Sequence, residues 1–105
     1  MRNITVKELK NRIDNGEVLN IIDVREKAEY DEVNINAKLV PLSELRNFDD
    51  TALEGLMDKE IIVHCRSGQR SREACMIIEQ MGYTDTVNVQ GGILEWLQLY
   101  PSDKI

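Results

Sequence analysis

The segment from residue 61 to residue 71, IIVHCRSGQRS, carries the clearest chemical signal in the chain. An apolar run ends at Cys65, a short basic loop containing Gly68 follows, and a helical pattern begins at Ser71. This order predicts a thiol at the carboxyl end of a buried strand, facing the amino terminus of a helix. Backbone N–H groups and the helix dipole favour an anion there, so we expect Cys65 to be a thiolate, the nucleophilic form of cysteine.

The loop after Cys65 is rich in arginine, although the chain as a whole has a formal net charge of −6. Arg66, Arg70 and Arg72 follow the cysteine with no acidic residue among them, which predicts an anion pocket. Two plainer interpretations stay open, a packed cysteine at a strand end and an Arg66 side chain that only faces water. The candidate catalytic residue is Cys65, and the candidate substrate-binding residues are Arg66, Ser67, Gly68, Gln69, Arg70 and Ser71.

Other reactive or polar side chains are interpreted as structural. Neighbouring side chains of a strand point to opposite faces, so His64 should point away from the Cys65 thiol and form a structural hydrogen bond. Cys75 falls beside the apolar stripe of the following helix and is predicted to fill the core. Bracing is the role predicted for Asp23, Arg25 and Glu29, and packing or lining of the cleft for Tyr83 and Trp96.

The elements that must position the loop alternate along the chain. Thr5 and Glu8 form a capping-box pattern that starts a helix ending near Gly16, and Thr51 with Glu54 forms a second one. Strands are predicted at 18–24, 39–40, 61–65 and 86–89, and further helices at 26–30, 43–45, 71–81 and after Gly91–Gly92, with Ser71 also capping its helix. This alternation is typical of a parallel α/β sheet, whose sites lie at the carboxyl ends of strands.

Size and composition narrow the class of protein. With 105 residues, 42% of them hydrophobic and 30% charged, the chain should form one globular domain over residues 1–105. Its acidity argues against nucleic acid or an anionic membrane as partner, and no run approaches the roughly 18 apolar residues of a membrane span. Two cysteines do not make a disulfide framework or a zinc set, and no leader pattern is seen, so we expect a cytoplasmic protein without cofactor or metal.

Several short motifs occur together in one order: Asp23-Val24-Arg25, Glu29-Tyr30, the loop 65–71, Gly82-Tyr83, and 89–92 followed by Trp96. In this the chain resembles a single-domain rhodanese over nearly its whole length. The resemblance implies a five-stranded parallel sheet flanked by helices on both faces. It also implies a sulfurtransferase in which Cys65 takes a sulfane sulfur from thiosulfate or a persulfide and passes it to a thiol or cyanide. A sulfur-relay protein is a further candidate partner.

One stretch departs from the rhodanese pattern. Family members usually read Gly-His-Ile-x-Gly-Ala where this chain has VNINAK at residues 33–38. Because glycine reaches positive φ at little cost, its absence predicts that Asn34 or Asn36 makes the turn, or that the backbone takes another path.

Other functions remain open from the sequence. The loop also resembles the cysteine phosphatase signature, except that four residues, one fewer than in that signature, separate Cys65 from Arg70. The smaller loop suits a single sulfur atom better than a phosphoryl group. Arsenate reduction and a non-catalytic rhodanese-like binding module are the remaining alternatives.

Overall fold

A computed structural model describes residues 1–105 and contains one sheet of five parallel strands. The strands are β1 (Arg2–Thr5), β2 (Ile21–Asp23), β3 (Lys38–Leu39), β4 (Glu60–His64) and β5 (Asp85–Gln90), in the order β1-β5-β4-β2-β3. The helices are α1 (Val6–Asp14), α2 (Lys27–Glu32), α3 (Leu42–Arg46), α4 (Gln69–Gln80) and α5 (Gly92–Leu99). The predicted α/β fold with a five-stranded parallel sheet is confirmed.

The central strand β4 separates two apolar clusters because its side chains alternate between the faces of the sheet. Ile61 and Val63 belong to the cluster that includes buried residues of α3 and α4, among them Cys75, whose core position was predicted. Ile62 belongs to the cluster that includes buried residues of α1 and α5, among them Trp96. Helices therefore cover both faces, as the resemblance implied. None of them is both long and apolar enough to cross a membrane.

The amino terminus begins with an edge strand that the sequence did not reveal. The capping box at α1 is confirmed, since the Glu8 N–H donates to Thr5 Oγ1 at 3.1 Å and the Thr5 N–H to Glu8 Oε1 at 3.4 Å. Before it, β1 pairs with β5 although only Ile4 of its residues is buried. Strands are predicted from the alternation of apolar and polar residues, and a strand with one buried side chain does not show this alternation.

The second predicted capping box is wrong. Thr51 donates its hydroxyl hydrogen to Asp49 Oδ1 at 2.7 Å and its N–H to the same oxygen at 3.1 Å. This local turn competes with a helical cap, and only a short 3₁₀ turn over Thr51–Leu53 forms.

The stretch that departs from the rhodanese pattern makes its turn with asparagine. Asn36 has a φ of 69°, a conformation that asparagine tolerates better than most residues. Its N–H donates to Asn34 Oδ1 at 2.9 Å, and the Asn34 amide donates to the Tyr30 carbonyl at 2.9 Å. Tyr30 in turn donates its hydroxyl hydrogen to the Ala37 carbonyl at 2.6 Å, so polar side chains hold a turn that glycine usually makes.

Candidate active site

Cys65 lies directly after β4, at the carboxyl end of the sheet's central strand and before the first turn of α4. Its Sγ accepts a hydrogen bond from the Gly68 N–H at 3.1 Å and lies 3.4 Å from Ser71 Oγ. Gly68 precedes α4 with a φ of 112°, a value that side-chain-bearing residues rarely adopt. Glycine here lets the chain double back, so that the amides of the loop meet the sulfur.

The polar contacts of Cys65 favour its anionic form. Only 1% of the residue is exposed, and this burial by itself raises the pKa of the thiol. Hydrogen bonding with the Ser71 side chain and with the backbone N–H groups of Ser71, Gly68 and Ser67 acts in the opposite direction and outweighs burial. The pKa of Cys65 is therefore lowered, and thiolate is favoured relative to an ordinary cysteine.

The amino terminus of α5 fixes the backbone on the other side of the cysteine. The Ile93 N–H donates to the Cys65 carbonyl at 2.9 Å, and the Leu94 N–H donates to the Arg66 carbonyl at 3.1 Å. Gly92 has a φ of 54°, and a Cβ built on it would lie 2.5 Å from both of these carbonyl oxygens. With the carbonyls held towards α5, the loop amides that follow are free to point at the sulfur.

The predicted arginines of the loop have different surroundings. Arg70 forms a bidentate pair with Glu29 of α2, with N···O distances of 2.7 and 2.8 Å. Arg66 is exposed and makes no ion pair; it lines a cleft of about 380 Å³ together with Glu29 and Leu94. The Arg66 guanidinium is therefore uncommitted, whereas an anion at Arg70 would have to compete with the Glu29 carboxylate.

A second cleft, of about 430 Å³, lies beside the same loop and has no hydrophobic residue in its lining. The exposed Ser67 and Gln69 contribute to it, and so do Arg72 and Gln90. Of the seven predicted site residues, Ser67, Gly68 and Gln69 line this cleft, and Arg66 lines the other.

The prediction that Ser71 caps its helix is wrong. The helix begins two residues earlier, at Gln69, and its start has no side-chain cap. Ser71 is fully buried in the first turn, where its hydroxyl lies between Cys65 Sγ and Asn88 Oδ1. Asn88 was not singled out from the sequence, although a polar residue between Val87 and Val89 of a central strand is a signal that could have identified it.

His64 has the structural role that was predicted. Its ring is buried, and Nδ1 lies 3.3 Å from the Cys65 carbonyl, which can only accept the hydrogen. Nε2 lies 3.6 Å from Asp23 Oδ2 and has no hydrogen-bond partner. Burial lowers the pKa of the ring, so a neutral imidazole helps to hold the Cys65 backbone.

Asp23 and Arg25 form a buried ion pair below the loop. Arg25 Nη2 lies 2.8 Å from Asp23 Oδ2 and also donates to the Val33 carbonyl at 2.7 Å. The pair ties the end of β2 to the segment after α2, consistent with the predicted bracing role. No three His, Cys, Asp or Glu side chains are arranged to hold a metal ion.

Comparison with known proteins assigns the family. The sequence-family model of the rhodanese-like domain matches residues 5–99 of this chain. The chain belongs to the rhodanese-like family. A solved rhodanese-like domain protein from Staphylococcus aureus is 33% identical, covers 91% of each chain and superimposes with a TM-score of 0.80.

Two curated relatives of the chain carry sulfurtransferase names. "Putative sulfurtransferase YtwF" of Bacillus subtilis is 35% identical over 91% of this chain and 90% of its own length. "Probable adenylyltransferase/sulfurtransferase MoeZ" of Mycobacterium tuberculosis is 36% identical over 97% of this chain but only 26% of its own length. The chain thus spans about a quarter of MoeZ. These relatives support sulfur transfer as the general class of activity.

Proposed function

We propose that this rhodanese-like domain, residues 1–105, is a sulfurtransferase that carries sulfane sulfur as a persulfide on Cys65. The observation that carries the proposal is the position of Cys65 Sγ, 3.1 Å from the Gly68 N–H and 3.4 Å from Ser71 Oγ. Backbone N–H donors fixed around a sulfur stabilise an anion without a metal or a general base. Both the resting thiolate and the persulfide are anions of sulfur.

The first step loads the cysteine. The Cys65 thiolate attacks the outer sulfur of thiosulfate or of a low-molecular-weight persulfide, forming a new sulfur–sulfur bond. The sulfur–sulfur bond of the donor breaks, and its electron pair leaves on sulfite or on the donor thiolate. Charge is conserved, and no external oxidant or reductant is required. Arg66, exposed and unpaired, is placed to attract an anionic donor.

The second step unloads it. An acceptor thiolate or cyanide attacks the outer sulfur of the Cys65 persulfide, and the electron pair of that bond returns to Cys65 Sγ as the thiolate. The N–H groups that stabilised the thiolate before loading, above all that of Gly68, stabilise it again after unloading. The loop therefore needs no rearrangement between the start and the end of the cycle.

The proposal extends to partners and location. The name of MoeZ joins sulfur transfer to an adenylyltransferase, which supports a sulfur-relay protein as an acceptor alongside small thiols. Both cysteines are free thiols, and a reducing cytoplasm would keep Cys65 available for sulfur.

The geometry favours sulfur transfer over phosphatase chemistry. A phosphatase would need Arg70 to clasp a phosphoryl group, but both terminal nitrogens of Arg70 bind Glu29. The cysteine and its surrounding donors likewise favour an enzyme over a silent binding module, because a docking surface needs no stabilised thiolate.

The proposal is tested by intact-protein mass spectrometry after incubation with thiosulfate or glutathione persulfide. We expect the mass of one added sulfur atom on Cys65, and its removal by cyanide or a thiol. Cys65→Ser should abolish the adduct. Cys75→Ser is the matched control and should retain most of it, because burial raises the pKa of Cys75 to about 11 and keeps it a thiol.

Two results would overturn the proposal. One is an adduct that survives Cys65→Ser. The other is efficient hydrolysis of an aryl phosphate, or reduction of arsenate, by protein that takes up no sulfur.

A further inference from the structure

A chain of polar side chains leads from Cys65 to the protein surface. Ser71 Oγ lies 3.4 Å from Cys65 Sγ and donates its hydrogen to Asn88 Oδ1. The Asn88 amide nitrogen donates in turn to Asn3 Oδ1 at 3.1 Å. Cys65, Ser71 and Asn88 are each at most 1% exposed, whereas Asn3 is exposed. Three side chains thus connect the buried sulfur to solvent.

Asn88 is an unusual residue for its position. It lies on β5, between β1 and β4, and its neighbours Val87 and Val89 belong to the apolar core. An amide buried there costs free energy unless its polar atoms are hydrogen-bonded. The strand register places Asn3 of β1 directly beside Asn88, and Ser71 supplies the other partner. A valine would avoid this requirement, so the amide calls for a reason other than packing.

The direction of the Ser71 hydroxyl bond suits only the neutral form of Cys65. A serine hydroxyl has one hydrogen, and Ser71 directs it to Asn88 Oδ1. Ser71 can then only accept from Cys65, which fits a neutral thiol. A thiolate or persulfide needs the Ser71 hydrogen instead, and giving it up would leave Asn88 Oδ1 buried without a donor, at an energetic cost.

Rotation of the two amides resolves this conflict. If the Asn88 amide turns over, its NH₂ group donates to Ser71 Oγ, and the Ser71 hydrogen becomes available to Cys65 Sγ. Asn88 Oδ1 then faces Asn3, whose amide can also turn and donate to it. Because Asn3 is exposed, water can replace whichever partner Asn3 loses.

We propose that Asn88 is a positioning residue whose amide turns over with the charge on Cys65, so that Ser71 can donate to the sulfur anion. This inference rests on the proposed function, in which the working forms of Cys65 are anions. The relay only reorients hydrogen bonds: no bond to hydrogen in Ser71 or Asn88 breaks, and the Cys65 proton leaves to water.

The test is the rate at which iodoacetamide alkylates Cys65 near neutral pH, followed by peptide mass mapping and extended to a full pH profile. Asn88→Asp keeps the shape of the side chain, but an ionised carboxylate only accepts and holds the Ser71 hydrogen away from the sulfur. We expect the rate to fall roughly two- to tenfold, the range that one hydrogen bond contributes, and the profile to move to higher pH. Asn3→Asp should act in the same direction, because it can only accept from Asn88.

A new carboxylate could also act on Cys65 directly through its charge, and two controls separate the effects. Gln90→Glu adds a carboxylate to the cleft that Asn3 and Asn88 line, outside the hydrogen-bonded chain. Ser71→Ala removes the link, so both aspartate variants should lose their effect in that background. The native charged or titratable groups near Cys65 are the same in all variants: Arg66 in the loop, Arg70 and Cys75 on α4, His64 on β4, Asp23 at the end of β2, and Arg25 after it.

The relay is wrong if the aspartate variants slow alkylation equally with and without Ser71, or if Gln90→Glu slows it as much as Asn3→Asp does. Should Asn88→Asp fail to fold, the exposed Asn3→Asp variant decides the question with the same controls. Alkylation requires no sulfur donor, so these rates test the relay independently of sulfur transfer.

Discussion

Among single residues, Gly92 decides how closely α5 can approach the cysteine loop. Its φ is 54°, and an added Cβ would lie 2.5 Å from the Cys65 and Arg66 carbonyl oxygens. We expect Gly92→Ala to lower the free energy of unfolding by about 2–5 kcal/mol, the sum of backbone strain and overpacking. The displaced carbonyls should also weaken the donors to Cys65 Sγ and slow its alkylation. Urea unfolding and alkylation rates measure the two effects.

Gly16→Ala is the matched control for this prediction. Gly16 also has a positive φ, 79°, but nothing lies within 4 Å of its added Cβ. Gly16→Ala should lower the free energy of unfolding only by the backbone strain, roughly 1–2 kcal/mol. The alkylation rate of Cys65 should not change. The prediction is contradicted if the two variants lose the same free energy of unfolding and alkylate Cys65 at the same rate. Gly92 would then not be required for the close approach of α5 to the loop.

The positions of site residues could be predicted where neighbouring residues in the sequence determine them. The strand end, glycine and helix start are contiguous in sequence, so they locate Cys65 beside Gly68. The hydrogen bonds of Ser71 and Asn88 join positions 17 residues apart, and no local pattern specifies such a contact. The same reason explains why Arg70 was assigned to substrate alone, since its partner Glu29 lies 41 residues away.

At the level of elements, the Glu29–Arg70 pair connects α2 to the first turn of α4. Hydrogen bonds from Arg70 lower the pKa of Glu29 from 4.5 to about 2. Because its pKa is lowered, the Glu29 carboxylate stabilises the fold fully at pH values above 4.5. This contribution is lost as the pH falls towards 2. Both side chains are about one third exposed, at 35% and 34%, so solvent screening reduces the contribution to roughly 1 kcal/mol.

Glu29→Gln should therefore lower the free energy of unfolding by roughly 1 kcal/mol near neutral pH. The difference from the unmodified protein should shrink as pH falls from 4.5 towards 2, where Glu29 takes up its proton. Urea unfolding across this range measures it. Asp31→Asn removes an exposed pair with Lys27 on α2 and should change stability by only about 0.2–0.5 kcal/mol. A Glu29→Gln effect that stays constant with pH would contradict the assigned ion pair.

The elements themselves were predictable to the extent that their side chains are periodic or capped. α1 carries both a capping box and a buried face, and the sequence located it. β1 has one buried side chain and depends on pairing with β5, so only the resemblance implied a fifth strand. At Thr51 the capping pattern was present, but Asp49 bound the hydroxyl and the helix did not form.

The whole molecule sets the electrostatic conditions in which the proposed site would meet an anionic sulfur donor. A chain with a net charge of −6 repels an anion such as thiosulfate at long range. Near the loop, the exposed and unpaired Arg66 opposes this repulsion. Capture of an anionic donor should therefore depend on a local positive potential within a negative molecule, and salt screens such potentials beyond about 10 Å at moderate ionic strength.

Arg66→Ala should lower kcat/KM for thiosulfate about tenfold at low ionic strength, because the local attraction is lost while the overall repulsion remains. The difference should narrow as salt is added. Lys59→Ala removes the same charge from an exposed residue before β4, roughly 20 Å of strand away from Cys65, and should change kcat/KM little. If the two variants behave alike at every salt concentration, net charge alone governs capture and Arg66 has no local role. If Arg66→Ala loses activity by a factor that salt does not change, the guanidinium acts by direct contact with the bound donor rather than by attracting it from solution.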